Sequence, residues 1–198
     1  QLAVEQITIR QEKRKMAEMT KQTNVEISAP PLHMPNAAST AEDVMGKALD
    51  FCASKMGFKD REVAISHLQQ GDHRACEYCY YSIAQQVGAA LGALDENVNA
   101  VYMFECEATP EDLCFGETKP APLLHLLVWT HRKTEALNSL VAMLDRALVQ
   151  NFAQLIGRPQ LKYLLDVQII DDGDAAERTG YGALLHSLHH RPLKVWEH

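Results

Sequence analysis

The chain has 198 residues, 46% of them hydrophobic and 23% charged, with 19 Lys+Arg against 26 Asp+Glu and a formal net charge of −7. That balance supports a packed core and excludes disorder, collagen and coiled-coil arrays. An acidic surface repels phosphate, which disfavours nucleic acid as a partner. The apolar runs Val87–Leu94 and Leu123–Trp129 fall far short of the ~20 residues a bilayer span needs, so no membrane partner is expected.

The N-terminal stretch carries Glu5, Arg10, Glu12 and Lys13 where a signal peptide would hold an apolar core. Five cysteines, Cys52, Cys76, Cys79, Cys106 and Cys114, are an odd number in a chain large enough to bury a core. Reduced thiols and a cytoplasmic setting are therefore expected, rather than a disulfide framework.

Residues 1–39 predict an N-terminal helical arm and a Pro-rich linker. Residues 1–22 mix helix formers with charges, and Pro30, Pro31 and Pro35 break any helical continuation toward residue 39. The arm has few apolar positions, so it is expected to lean on another surface and to mediate homo-oligomerisation. The first 40 residues hold five basic and four acidic groups, so the negative charge belongs to the remainder.

Residues 40–198 predict one domain, helical over 40–94 and sheet-containing over 95–198. Ser39 and Glu42 have capping-box spacing for a helix that Gly57 closes. A short helix is expected over Asp60–Leu68. Asp72 can cap a longer one to Leu94, with Cys76, Cys79, Ile83, Val87 and Leu91 on its buried stripe. The pattern then changes to strands at 98–105, 123–130 and 161–170, with a helix over 134–156 between the last two. A turn at 171–174, a helix over 175–188 and a short strand over 193–196 complete the chain. The stretch from 123 to 170 has the length of a parallel β-α-β crossover. The fold class is α+β, a mixed sheet of three to four strands with helices on one side.

The segment Val101-Tyr-Met-Phe-Glu-Cys-Glu-Ala108 resembles the first strand and turn of the nucleotidyltransferase superfamily, the DNA polymerase beta-like fold. Leu165-Asp166-Val167 is similar to the family's third-carboxylate strand, and Leu193–Trp196 to its closing strand. The resemblance covers about residues 72–197. It implies a nucleotide cleft with metal-holding aspartates at the heads of the strands. This chain departs from that pattern. Glu105 and Cys106 stand where the family has Gly-Ser, and Leu123 and His125 stand at the first two aspartates. Carboxylate in a phosphate cradle repels the ligand, and Asp166 alone cannot align two Mg²⁺ ions.

Four constellations carry the remaining chemistry. His125 and Asp166 fall on neighbouring strands if the second and third pair, and could act as general base or metal ligand. Glu105 and Cys106 would join them as ligand-binding residues, although Glu105 and Glu107 disfavour a Cys106 thiolate. His73, Cys76 and Cys79, at i, i+3 and i+6 of one helix, could hold a thiophilic metal or simply pack. His186, His189 and His190 cluster near the C-terminus, and the acids Glu111, Asp112, Glu117, Asp171, Asp172 and Asp174 fit solvated loops. The functional expectation is a non-catalytic nucleotidyltransferase-like binding or regulatory protein for a small-molecule or nucleotide ligand. The alternatives are a metal-dependent enzyme, with a divalent metal at a rewired site around His125 and Asp166, and a structural oligomerisation protein.

Overall fold

The computed structural model describes residues 37–104 and 124–198. The N-terminal helix expected at 1–22, the arm's role in self-association, and Glu105, Cys106, Glu107, Cys114 and Leu123 lie outside the described residues.

Helix α1 spans Ala37–Met56 and buries Ala41, Val44, Met45, Ala48, Leu49 and Cys52, a spacing of three and four that forms one face. It begins before the expected Ser39 cap, so Ser39 lies within the first turn. Gly57, at φ +70°, ends it, and the Phe58 amide closes back on the Ala53 carbonyl at 2.8 Å. Helix α2, Arg61–Gln69, is capped by Asp60, which accepts from the Val63 amide at 3.1 Å. Helix α3, His73–Leu94, starts at Asp72, whose carboxylate accepts from the Ala75 amide and meets His67 Nδ1 at 2.8 Å.

Strand β1 covers Val98–Met103 and β2 covers Leu124–Thr130. Helix α4, Glu135–Leu155, is capped by the Thr134 hydroxyl and buries Leu137, Leu140, Leu144, Leu148 and Phe152. Strand β3 is Leu165–Ile170, shorter than the expected 161–170. The residues before it begin in a turn, where the Leu161 amide donates to the Arg158 carbonyl at 3.2 Å, and Asp145 Oδ1 of α4 accepts from the amides of Leu164 and Leu165 at the head of the strand at 3.0 and 2.8 Å.

The expected turn at 171–174 is instead the start of helix α5, Asp172–Glu177. Asp171 and Asp174 form a reciprocal capping box across it. The single helix expected over 175–188 is split. Arg178 at φ 57° ends α5, and a 3₁₀ turn runs from Gly180 to His186. Strand β4, Leu193–Glu197, closes the described chain.

The sheet order is β3-β2-β1-β4. β1 pairs antiparallel with both β2 and β4, and β2 pairs parallel with β3 across the α4 connection. Period-two alternation gives the sheet two distinct faces. Leu124, Leu126 and Val128 of β2 and Leu165, Val167 and Ile169 of β3 turn to the helices α1 to α4, in one continuous core. Ala100, Tyr102, Leu127 and Ile170 turn to the other face, where Ala175 of α5 and Leu185 of the 3₁₀ turn pack. Helices therefore do not occupy one side alone. Among the described residues the second face carries a smaller cover that leaves part of it open.

The edge strand β4 is held by Trp196, seated against Gly88 and Gly92 of α3. A Cβ at Gly92 would fall 2.0 Å from Trp196 Cη2, and one at Gly88 would fall 2.6 Å from Trp196 Cβ. Alanine's helix preference over glycine, about 1 kcal/mol, opposes the clash but does not outweigh it. Gly92→Ala is expected to destabilise the fold by about 1–3 kcal/mol in urea unfolding, and Trp196→Leu to recover part of that loss in the double variant.

Candidate functional site

The open part of the second face is built in rows across the sheet. In the first row the Phe104 amide donates to the His125 carbonyl at 3.0 Å, and His125 stands opposite Asp166 in the parallel register. Their side chains project to the same side because each is flanked by residues facing the helical core. His125 Nδ1 lies 2.9 Å from Asp166 Oδ2, and Gln168 Nε2 donates to Asp166 Oδ1 at 3.1 Å. The His125 and Asp166 side chains are 20% and 40% exposed, so the dyad is open to a ligand from one side.

A carboxylate accepts, so the hydrogen bond assigns the imidazole proton to Nδ1. In neutral His125 that leaves Nε2 with its lone pair available. Aromatic rings flank the dyad. The Phe104 ring centroid is 5.5 Å from that of His125 and 6.2 Å from that of Tyr181 in the 3₁₀ turn. Asp166 itself has both oxygens engaged. The arrangement can hydrogen-bond a polar group, stack a planar one, or accept a proton at Nε2.

A second carboxylate–imidazole pair lies at the other end of β2. Trp129 Nε1 donates to Asp172 Oδ1 at 2.8 Å, and His131 Nδ1 lies 2.9 Å from Asp172 Oδ2. The hydrogen bonds from His131 and then Trp129 hold the Asp172 carboxyl below the usual aspartate range. Next to it, Lys133 pairs with Asp174, whose carboxyl is also lowered, mainly by that lysine. Gln168, Trp129, His131 and Asp172 are not among the site residues expected from the sequence. The alternation of β2 puts His125, Leu127 and Trp129 on one face, but nothing local brings Asp172 to Trp129.

The His73, Cys76 and Cys79 set is not brought together. His73 sits at the surface 3.6 Å from Glu77, whereas Cys76 and Cys79 lie in the core with Cys52, whose thiol donates to the Ala75 carbonyl at 3.4 Å. Burial, and then the neighbouring Cys52 and Cys76, push the Cys79 thiol far above its ordinary range, which suits a packing role. Among the described residues no group of three His, Cys, Asp or Glu side chains could hold a metal ion. His186 turns its Nε2 to the Ala175 carbonyl at 3.1 Å, while His189 and His190 are exposed, so the three do not converge. Tyr78 and Tyr81 pack on Phe51 with centroids 6.3 and 5.8 Å away, and Tyr80 is buried near Phe152. Among the described residues no helix is long and apolar enough to cross a membrane.

No protein-family model, curated protein or solved structure matches this chain.

The depressed Asp172 carboxyl fixes the sign of a pH effect. Its contribution to stability is present above the unfolded aspartate pKa and is lost as pH falls through the lower, folded value. In a Trp196→Phe background, Trp129 fluorescence is expected to change along that acid limb. Asp172→Asn should remove the transition, and its persistence would assign it to another group.

Proposed function

We propose that this chain is a non-catalytic, nucleotidyltransferase-like binding or regulatory protein that takes a small molecule at the row formed by Phe104, His125 and Asp166. The observation that carries the reading is the convergence of those three residues, from the end of β1 and from β2 and β3, on one open face. They correspond to the positions at which the resemblance implies the ligand turn and the second and third carboxylates. The imidazole at the second position changes the chemistry. An Asp166 bound to both His125 and Gln168 is a fixed hydrogen-bonding anchor rather than one arm of a two-metal clamp. A reduced, cytoplasmic setting and self-association through residues 1–39 belong to the same reading.

A second reading is a metal-dependent or general-base enzyme rewired around the dyad. It is favoured by the orientation of His125, whose Nδ1 bond to Asp166 leaves Nε2 as a base.

Three measurements separate these readings. Incubation with Mg²⁺ and each common ribonucleoside triphosphate is expected to release no pyrophosphate above the protein-free blank. Release that disappears in Asp166→Asn would overturn the binding reading. Metal analysis of protein purified without chelator is expected to show no stoichiometric metal. Metal lost from both His125→Ala and Asp166→Ala would establish the rewired site. Screening nucleosides and nucleotides by thermal shift should yield a ligand that raises the Tm of the parent chain and not of Asp166→Asn, by mass action on the folded state.

A further inference from the structure

We propose that a cavity on the second face of the sheet, which the His125–Asp166 dyad does not line, binds a small aromatic carboxylate. The cavity is about 810 Å³, within the range of small-molecule sites. Tyr102 of β1 and Trp129 of β2 contribute from the sheet. Ala175 and Ala176 of α5 and Leu185 of the 3₁₀ turn contribute from the cover, and β4 with the residues before it closes the far edge. Binding here is independent of the function proposed for the dyad.

The shape arises from the side chains. The indole of Trp129 is anchored by its hydrogen bond to Asp172. Besides Asp172, α5 presents the methyl groups of Ala175 and Ala176. A wide aromatic surface facing small side chains leaves a slot suited to a planar ring, which stacks on indole and displaces water from apolar carbon.

The charge preference is set by which polar groups are already engaged. Asp172 lines the cavity, but Trp129 and His131 occupy its two oxygens. His186 lines it too, with its Nε2 turned to the Ala175 carbonyl. The polar groups left to a ligand are the Tyr102 hydroxyl, Arg191 and Lys194. Lys194 shares its ammonium with Glu197 at 2.8 Å, a solvent-exposed pair of the kind that contributes little and leaves the ammonium two further donors. Arg191 makes no ion pair among the described residues. Two cations and a phenol thus gather at the β4 edge of the cavity in a chain with net charge −7. Tyr102 and Lys194 face one another across the β1–β4 ladder, so both side chains stand at one register position. A guanidinium matches the two oxygens of a carboxylate bidentately, and a phenol adds a third donor. Aromatic surface and cationic groups line the same cavity, and the ligand that uses both is a planar ring bearing one carboxylate.

The test is isothermal titration calorimetry of the full chain with naphthoate, and with naphthamide as its uncharged counterpart of the same shape. Naphthoate is expected to bind saturably and naphthamide about tenfold or more weakly, the size of a lost charge-assisted hydrogen bond. Arg191→Ala and Lys194→Ala should each weaken naphthoate by a similar factor, while Lys47→Ala on α1, across the sheet, should leave it unchanged. Ala176→Trp should block binding by filling the slot, with circular dichroism confirming that the variant folds. Chemical-shift changes on adding naphthoate should centre on the Trp129 indole N–H. Equal affinity for the acid and the amide, indifference to Arg191→Ala, or no saturation by about 1 mM naphthoate would each overturn the proposal.

Discussion

The parallel pairing of β2 with β3 in a single register, His125 opposite Asp166, is the constraint on which the two faces of this protein depend. Side chains alternate with a period of two, so a slip of one residue would drive Asp166 into the helical core and carry Leu165 and Val167 out of it. The register is held from both sides. Leu126 and Val128 are fully buried against the helices, and Asp145 on α4 binds the amides at the start of β3. An acidic side chain on the connecting helix thereby ties the head of β3 to α4, next to the residue that meets His125.

Among the described residues the second face is covered less completely than the first. Four helices cover one side, whereas α5 and a 3₁₀ turn cover part of the other. That asymmetry is the physical origin of both candidate sites. An open sheet face displays alternate side chains as a flat array, and here the array contains Phe104, His125 and Asp166 in one row and Trp129 and Tyr102 further along. The polar members are paired, His125 with Asp166 and His131 with Asp172. Half-exposed polar groups on a sheet tolerate solvent and can exchange it for a ligand at modest desolvation cost.

The nucleotidyltransferase-like reading draws on the spatial convergence of residues that are far apart in sequence, and on what has replaced the family's chemistry. Where the resemblance implies a second carboxylate, an imidazole carries less negative charge to hold Mg²⁺, and His125 supplies a donor to Asp166. A fold by itself carries no activity, because chemistry resides in the particular side chains placed on it.

The helices were legible in the sequence because their signals are local. Asp72 stands one residue before α3, Gly57 one residue after α1, and the apolar stripes repeat every three to four positions. The strands were legible through their alternation, and the meeting of His125 with Asp166 was foreshadowed by the length of the crossover that joins β2 to β3. Other features depended on distance in space. The Trp129–Asp172 bond joins residues 43 positions apart, Gln69 of α2 reaches the Leu155 carbonyl of α4, and Trp196 finds Gly88 and Gly92 only once β4 docks beside β1. The local code thus determined which segments are helix or strand and which face of each is apolar. Strand order, the Asp145 clasp on β3 and the cavity beside Arg191 were decided by tertiary packing, because each requires side chains from separate elements to arrive at one place.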